Sequence, residues 1–386
     1  MKIAIFTDTY VPQTNGVVAY LTDLIRILAR ENEVVLFAPG EGHFRYEKAD
    51  EKFSIYWIPS SPFPFYEGYR IASMNYKRIS GLLKREMPDI VHAHAPVNLG
   101  LQGILSAKRK KIPIVITYHT HFPDYVPHLL KGRLPGVFGK ITEHTVKRLI
   151  RHVFSMADVV TAPTQELVDE LASYGLRNVV YLPNGIDLDN LGCSRKELSD
   201  FRKSHRSMGG KKVVLYLGRI SFEKKLDHLI RAFKLSEKKD RVLMIAGGGP
   251  YIKKFRDFAL KMGAKNVLFT GFVKNKGAAY LSADVFASAS DSETFGLTYV
   301  EAMHFGLPVI GVRRLGAKEV IIHGKTGLLV EPGDISGLAG AMERLLKDKR
   351  LREKLGKAGR IQSKKYSIEN SVRRTLRIYR NLAGKR

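Results

Sequence analysis

The sequence predicts an α/β fold in which two parallel-sheet domains follow one another along the chain. Three observations predict it. Short apolar runs of strand length alternate with amphipathic stretches of helical period, the pattern of a parallel sheet covered on both faces. The alternation breaks once, at the turn-rich Leu182-Pro183-Asn184-Gly185-Ile186-Asp187, and then resumes. A chain of 386 residues is also too long for one ordinary core and suits two. The expected division is residues 1–184, then 185–365, with 366–386 as a terminal helix packing back towards the first domain.

In order along the chain, Lys2 to Thr9 reads as a buried strand and loop. Gly16 to Arg30 is a helix, because Val17, Leu21, Leu24 and Leu28 recur at three- and four-residue steps. Glu33 to Ala38, Ile90-Val91-His92, Pro113 to Tyr118 and Val159 to Ala162 are further strands. Tyr69 to Glu86, Leu99 to Arg109, Lys140 to Ser155 and Gln165 to Ser173 carry helical patterns between them. After the break, Val213 to Leu217, Val242 to Ala246, Val267 to Thr270, Val285 to Ala287 and Val309-Ile310 form the second set of strands. Ligands of open parallel sheets bind beyond the carboxyl ends of the strands, so the expected site lies where two such halves face each other.

Composition narrows the classes. No apolar run reaches the ~18 residues that cross a bilayer, and the first apolar run is too short for a secretory signal. The single Cys193 excludes an internal disulfide and suits a reducing compartment, so the cytoplasm is expected. A net charge of +27 predicts attraction to polyanions: nucleic acid, anionic lipid or phosphorylated substrates. A nucleic-acid partner would need basic patches interleaved with stacking aromatics. The basic residues are instead spread over helices, and nucleic acid is not an expected partner.

The strongest chemical constellation is Ser292-Glu293-Thr294-Phe295-Gly296-Leu297-Thr298-Tyr299-Val300-Glu301, which follows a strand and opens a helix. A helix N-terminus offers backbone N–H groups to phosphate or hydroxyl oxygens. Glu293 and Glu301 are carboxylates suited to paired sugar hydroxyls, although Glu293 is equally explained as a charge complementing the helix dipole. In Leu217-Gly218-Arg219-Ile220-Ser221-Phe222-Glu223-Lys224-Lys225, Arg219 and Lys224 suit a diphosphate clamp; a solvated basic loop is the alternative. Gly16 and the run Gly247-Gly248-Gly249 sit at strand ends, as turns or as backbone that a ligand approaches. His119 ends its strand, placed to hydrogen-bond a ligand or simply exposed.

Other patterns fail. His92-x-His94 and His119-x-His121 pair imidazoles on one strand face, but no Cys or compact carboxylate set joins them, so no metal site is expected. Gly324-Lys325-Thr326 lacks the earlier glycine of a phosphate loop, since that position is Glu319. No G-x-G-x-x-G follows the first strand. Asp187-Leu188-Asp189 reads as a capped turn rather than a metal motif.

Together these residues resemble glycosyltransferase family 4, whose GT-B fold has two facing Rossmann-like domains. The family's Glu, seven residues, Glu signature is matched by Glu293 to Glu301. The resemblance implies that Glu293 contacts the transferred hexose and Glu301 the ribose, with Phe295, Gly296 and Leu297 between them. It implies that Arg219 and Lys224 hold the diphosphate, that Gly16 completes that grip and that His119 contacts the sugar. Val273 falls where the base lies. It further implies retention at the anomeric carbon, no metal and no cofactor, the nucleotide diphosphate sugar (UDP-glucose or GDP-mannose type) being a substrate. Asn15-Gly16 and Lys225 depart from the commoner Gly-Gly and Gly. Tyr118-His119-Thr120 and two basic helices place the chain nearest the lipid glycosyltransferases, which act on diacylglycerol or phosphatidylinositol lipids. A soluble acceptor, a sugar phosphate or polysaccharide, is the alternative.

The first basic helix is Tyr69 to Glu86, where Arg70, Lys77 and Lys84 recur every seven residues, widened by Arg78 and Arg85. The second is Lys140 to Ser155, with Lys140, His144, Lys147, Arg148 and Arg151 on one face. The loop Pro62-Phe63-Pro64-Phe65-Tyr66 offers aromatic groups to a headgroup layer. These features read as peripheral docking on an anionic membrane, at the inner face of the cell membrane, where a lipid acceptor is taken. The alternative is that both helices pack on the sheet with solvated basic faces.

Overall fold

The computed structural model describes residues 1–63, 69–94, 96–124 and 136–384, with the backbone alone over 136–142. The chain divides into two compact units, Met1–Gly185 with Ile368–Arg386, and Ile186–Ser367.

The first unit is built on β1 (Lys2–Thr7), β2 (Glu33–Gly40), β3 (Arg45–Asp50), β4 (Phe53–Pro62), β5 (Arg70–Ala72), β6 (Ile90–His94), β7 (Ile114–Thr117), β8 (Val159–Ala162) and β9 (Val179–Tyr181). Among the described residues they form one sheet in the order β3-β4-β2-β1-β6-β7-β8-β9, with β5 paired to β4. The path from β4 to β9 is parallel; β3 and β5 run antiparallel to β4. Its helices are α1 (Gly16–Leu28), α2 (Tyr76–Glu86), α3 (Leu99–Arg109), α4 (Gly136–Phe154) and α5 (Gln165–Ser173). The C-terminal helix (Ile368–Ala383) belongs to this unit too: Ser371 Oγ lies 3.2 Å from Tyr20 Oη on α1 and donates to the Pro183 carbonyl at 3.1 Å.

The second unit holds β10 (Lys212–Leu217), β11 (Arg241–Ala246), β12 (Val267–Gly271), β13 (Val285–Ala287), β14 (Val309–Val312) and β15 (Gly327–Val330), all parallel, in the order β12-β11-β10-β13-β14-β15. Its helices are α6 (Arg195–Ser204), α7 (Leu226–Ser236), α8 (Ile252–Lys261), α9 (Lys276–Leu281), α10 (Leu297–His304), α11 (Leu315–Val320), α12 (Ile335–Lys347) and α13 (Lys349–Ser363). Alternation along β10 covers both faces of the sheet. Val214 and Tyr216 join the layer of Leu229, Phe233 and Leu345, while Leu215 and Leu217 join that of Phe286, Tyr299 and Met303.

This is the doubly wound order, and it positions the site. The direction of winding reverses between β1 and β6 in the first unit and between β10 and β13 in the second. Crevices open beyond the strand ends at such reversals. At or just beyond those strand ends lie Gly16 and His94 in the first unit, and Arg219, Lys224 and Glu293 in the second.

One expectation is corrected. Tyr69 to Glu86 is not one helix: Arg70–Ala72 is a strand whose residues pair with Pro62, Ser61 and Ser60, and Ser73 N–H donates to the Pro59 carbonyl at 2.7 Å. The helix begins at Tyr76, where the Asn75 side chain accepts from Arg78 N–H at 3.1 Å. The available edge of β4 decides this, because seven-residue spacing of basic groups exerts no force towards either structure. The strands β3, β4, β5, β9 and β15 were also outside the sequence reading, and β3 is mostly exposed, with no apolar run to mark it.

Candidate functional site

In the second unit the chain leaves β10 through Gly218-Arg219-Ile220. A side chain at Gly247 (φ +141°) would sit 1.9 Å from the Gly218 carbonyl oxygen, and one at Gly249 would sit 2.2 Å from that of Ile220. Ile220 N–H donates to the Gly248 carbonyl at 2.8 Å. The glycine run thus serves to let two loops touch backbone to backbone. Arg219 is half-buried, and its carbonyl accepts from Tyr216 Oη at 2.9 Å. A short turn, Phe222–Lys224, follows, and Lys225 then adopts the left-handed conformation (φ 48°). That region favours glycine, the residue that the family resemblance expects in place of Lys225.

The loop after β13 meets this turn. Lys224 Nζ donates to Glu293 Oε1 at 2.7 Å, and Lys225 pairs with Asp291. The Glu293 carbonyl accepts from Gly316 N–H at 2.7 Å, and that of Asp291 from Arg314 at 2.9 Å. Glu293 is therefore held at the start of α10 with its carboxylate beside an ammonium. Gly296 (φ +80°) caps α10, and a side chain there would strike the Tyr299 ring at 2.6 Å. The ring of Phe295 lies in the core against Tyr366, at 5.3 Å between centroids, so only its backbone faces outward chemistry. Leu297 and Val273 are partly buried against the same core.

Glu301 sits apart from Glu293 and is 2% exposed. Lys276 Nζ donates to Oε1 at 2.7 Å and Tyr280 Oη to Oε2 at 2.6 Å. The sequence reading missed both partners; their signal is the Asn275 cap on α9, which fixes Lys276 at its first position. Burial and the Glu301 carboxylate together push the Tyr280 phenol well above its usual range, so it remains a donor.

In the first unit, Asn15 caps α1 by accepting from Val18 N–H at 3.0 Å and donates to Thr9 Oγ1 at 3.0 Å, and Gly16 opens the helix. Asp8, also missed, accepts from the N–H groups of Val97, Asn98, Leu99 and Gly100 at 2.7–3.2 Å. One carboxylate at the end of β1 thereby pins the N-terminus of α3. His119 is 4% exposed, and its Nε2 lies 2.8 Å from His94 Nδ1. Burial holds its imidazole down to about 3. His92 is bonded on both nitrogens, to Tyr379 Oη and to Thr117 Oγ1 at 2.6 Å. His121 lies 2.9 Å from Glu170 and 2.8 Å from Asp124. Among the described residues no group of three or more His, Cys, Asp or Glu could hold a metal ion. Asp187 caps its own turn, accepting from Asn190 N–H at 3.3 Å.

The basic surface differs from the expected stripe. Lys77, Arg78, Lys84 and Arg85 are exposed on α2, whose buried face is Ile79 and Leu83. Arg78 lies over Phe44 at 4.4 Å, and Arg85 contacts Tyr56. Arg70 stands on β5, paired with Glu41 at 3.0 Å and bonded to Ser60. On α4, Arg148 and Arg151 are exposed beside Leu149, which is 61% exposed, while Lys147 pairs with Glu143 at 2.7 Å. The side chain of Lys140 and the loop residues Pro64, Phe65 and Tyr66 lie outside the described residues. No helix among the described residues is long and apolar enough to cross a membrane.

Residues 14–190 match the family model described as Glycosyltransferase Family 4, and residues 199–362 the one described as Glycosyl transferases group 1. The chain is 34% identical over 321 residues to the alpha-monoglucosyldiacylglycerol synthase of Streptococcus pneumoniae, covering 80% of this chain and 70% of that one. It is 28% identical over 397 residues to a GDP-mannose-dependent alpha-(1-6)-phosphatidylinositol monomannoside mannosyltransferase of Mycolicibacterium smegmatis, covering 98% of each. Among solved structures, HepE of Anabaena in complex with UDP-glucose superposes with a TM-score of 0.76 at 19% identity, over 98% of this chain and 100% of that one.

Proposed function

Because the chain belongs to glycosyltransferase family 4, we propose that it transfers a hexose from a nucleotide diphosphate sugar to a membrane lipid, with retention and without a metal ion. The observation that carries this reading is the Lys224–Glu293 pair at 2.7 Å. It sets an ammonium and a carboxylate side by side beyond the strand ends where the winding reverses. The ammonium, with the Arg219 guanidinium, takes the diphosphate; the carboxylate takes sugar hydroxyls. Glu301, oriented by Lys276 and Tyr280, takes the ribose, and Val273 lies beside the base. The backbone around Phe295, Gly296 and Leu297 completes the donor site of the second unit; His119 is read as a sugar-contacting residue and Gly16 as a phosphate-contacting one.

In the reaction an acceptor hydroxyl oxygen bonds to the anomeric carbon while the bond from that carbon to the diphosphate breaks. The acceptor proton passes to a diphosphate oxygen. Charge grows on the leaving diphosphate, and Arg219 and Lys224 stabilise it there, the task a metal performs in other transferases. No cofactor is needed, since the nucleotide sugar is itself the substrate.

The lipid acceptor is supported by the lipids named for the pneumococcal and mycobacterial relatives and by the exposed basic groups on α2 and α4. About 1 kcal/mol per basic residue near an anionic surface makes a handful sufficient for reversible docking. The enzyme then works at the cytoplasmic face of the cell membrane. Labelled UDP-glucose and GDP-mannose, incubated with the protein and vesicles of anionic lipid containing diacylglycerol or phosphatidylinositol, test this. The label should enter the lipid extract and should do so in the presence of a chelator. Transfer to a soluble sugar phosphate or polysaccharide alone would replace the lipid acceptor with a soluble one. Transfer that stops with the chelator would overturn the metal-free chemistry.

A further inference from the structure

Two strained points in the backbone grip one loop. Among the described residues, the residues other than glycine with positive φ are Met87, Lys111, Lys225 and Leu315. Lys225 pairs with Asp291, and Leu315 precedes Gly316, whose N–H donates to the Glu293 carbonyl at 2.7 Å. The loop they hold joins β13 to α10 and carries Glu293. Of the four, Leu315 alone is buried, at 2% exposure. Its φ of 46° crowds the leucine Cβ against the following carbonyl, a cost that persists only where the surroundings impose it.

The surroundings are the corner between β14 and α11. Arg314 Nη1 donates to the Asp291 carbonyl at 2.9 Å, two residues before Glu293. Gly316 then approaches so closely that a side chain on it would sit 2.3 Å from the carbonyl carbon and oxygen of Phe295. Gly316 is itself outside the left-handed region, so this approach and not its conformation requires glycine. The bend at Leu315 lets a side-chain donor before it and a backbone donor after it reach the same loop. The loop is therefore held in two ways. Lys224 and Lys225 hold it through the carboxylates of Glu293 and Asp291, and Lys224 is the group that a diphosphate draws away. The corner holds it through two main-chain carbonyls, and those bonds do not use the Glu293 carboxylate.

We propose that Leu315 and Gly316 are positioning residues for Glu293: the left-handed turn and the close backbone contact fix the main chain of Glu293, and so the place of its carboxylate, when Lys224 turns to the ligand. This rests on the reading that Glu293 takes hydroxyls of the transferred sugar. Leu315 and Gly316 touch no substrate; they act through Glu293. The strain at Leu315 is the cost of a support that ligand binding does not dismantle.

The test is steady-state transfer by full-chain variants from labelled UDP-glucose or GDP-mannose to anionic vesicles containing diacylglycerol or phosphatidylinositol, with a soluble sugar phosphate as the parallel acceptor. Gly316→Ala has to push the Phe295 backbone aside. It should lower kcat about 10- to 100-fold, as a misplacement on the order of 1 Å does, and change donor KM much less. Unchanged kcat overturns the proposal. Two variants of Leu315 separate positioning from packing. Glycine discards the buried side chain but suits the left-handed backbone, whereas valine keeps most of the apolar volume and opposes that backbone. Leu315→Gly should keep kcat within about threefold, and Leu315→Val should lower it about 10-fold or more. The reverse order makes Leu315 a core residue only and overturns the proposal. Thermal melts establish that each variant is folded at the assay temperature. Glu293→Gln supplies the link: adding Gly316→Ala to it should cost less than about twofold more, because changes acting through one group are not additive. A full further loss overturns action through Glu293. Wild-type kcat in Glu293→Gln alone overturns the underlying reading of Glu293 instead.

Discussion

Lys224 and Glu293 are 69 residues apart in sequence and meet at 2.7 Å, with side chains 15% and 21% exposed. Enough of each is accessible for a ligand to divide the pair. If the ammonium follows the diphosphate, its contribution grows with the charge on the leaving group. Lys224→Ala should therefore lower kcat by about 100-fold while changing donor KM much less. Magnesium or manganese should not restore it. Steady-state kinetics with and without metal decide; a loss confined to KM would move Lys224 from transition-state to ground-state binding.

Glu301 is held by Lys276 and Tyr280 and is almost wholly buried. Glu301→Ala should weaken nucleotide-sugar binding by about 1–3 kcal/mol, the cost of a lost buried hydrogen bond. It should also lower the melting temperature, because the buried Tyr280 hydroxyl loses its acceptor. Calorimetry and thermal melts measure the two separately. Wild-type affinity in a folded Glu301→Ala variant would remove this residue from the donor site.

The buried histidines make stability depend on pH in both directions. His92 and His119 are held down to about 3 by burial, whereas in the unfolded chain they titrate near 6.5. Below pH 6.5 the unfolded state binds protons that the folded state refuses. Stability from these groups is complete above that pH and falls as the pH drops towards 3, by up to ~1.4 kcal/mol per pH unit for each group. His121 runs the other way: against burial, Asp124 and Glu170 carry its imidazole up to about 9. Its contribution is present below 6.5 and is lost as the pH rises through 9. Urea midpoints followed by fluorescence of Trp57, the one tryptophan and part of the same unit, should peak near pH 6.5. His121→Gln should flatten the alkaline side, and a midpoint that rises on acidification would contradict the neutral histidines.

Membrane docking should depend on Lys77, Arg78 and Lys84 more than on Arg70, which already has Glu41 and Ser60 as partners. Replacing the first three by Ser should weaken binding to anionic vesicles in flotation by on the order of 100-fold, at about 1 kcal/mol for each. Raised salt should have the same effect on the wild type. Arg70→Ser should change flotation less. Equal flotation of all variants would place the contact elsewhere.

The architecture of the parallel sheets was legible in the sequence, and for a physical reason. Strands such as Val213 to Leu217 and Ile114 to Thr117 are buried on both faces, so each is a continuous apolar run. The helices Leu99–Arg109 and Gln165–Ser173 were legible in their bounds from their helical patterns. Strand β3, Arg45–Asp50, is mostly exposed and left no such trace, and Arg70–Ala72 was read as helix because only a partner strand makes it β.

For the candidate site, the chain alone offered the residue types and their local places: Glu293, Arg219, Lys224 and His119 after strands, and Glu301 within a helix. Tertiary structure decided how they are joined. Lys224 meets Glu293 because β10 and β13 are neighbours in the sheet. His94 meets His119 because β6 and β7 are. The glycines at 247 and 249 serve contact between two backbones, a need that appears only once those loops approach. Hydrophobic periodicity is a local property that the chain carries wherever it goes. Strand adjacency and hydrogen-bond partnership are relations between distant segments, and they exist only when the sheet has chosen its order.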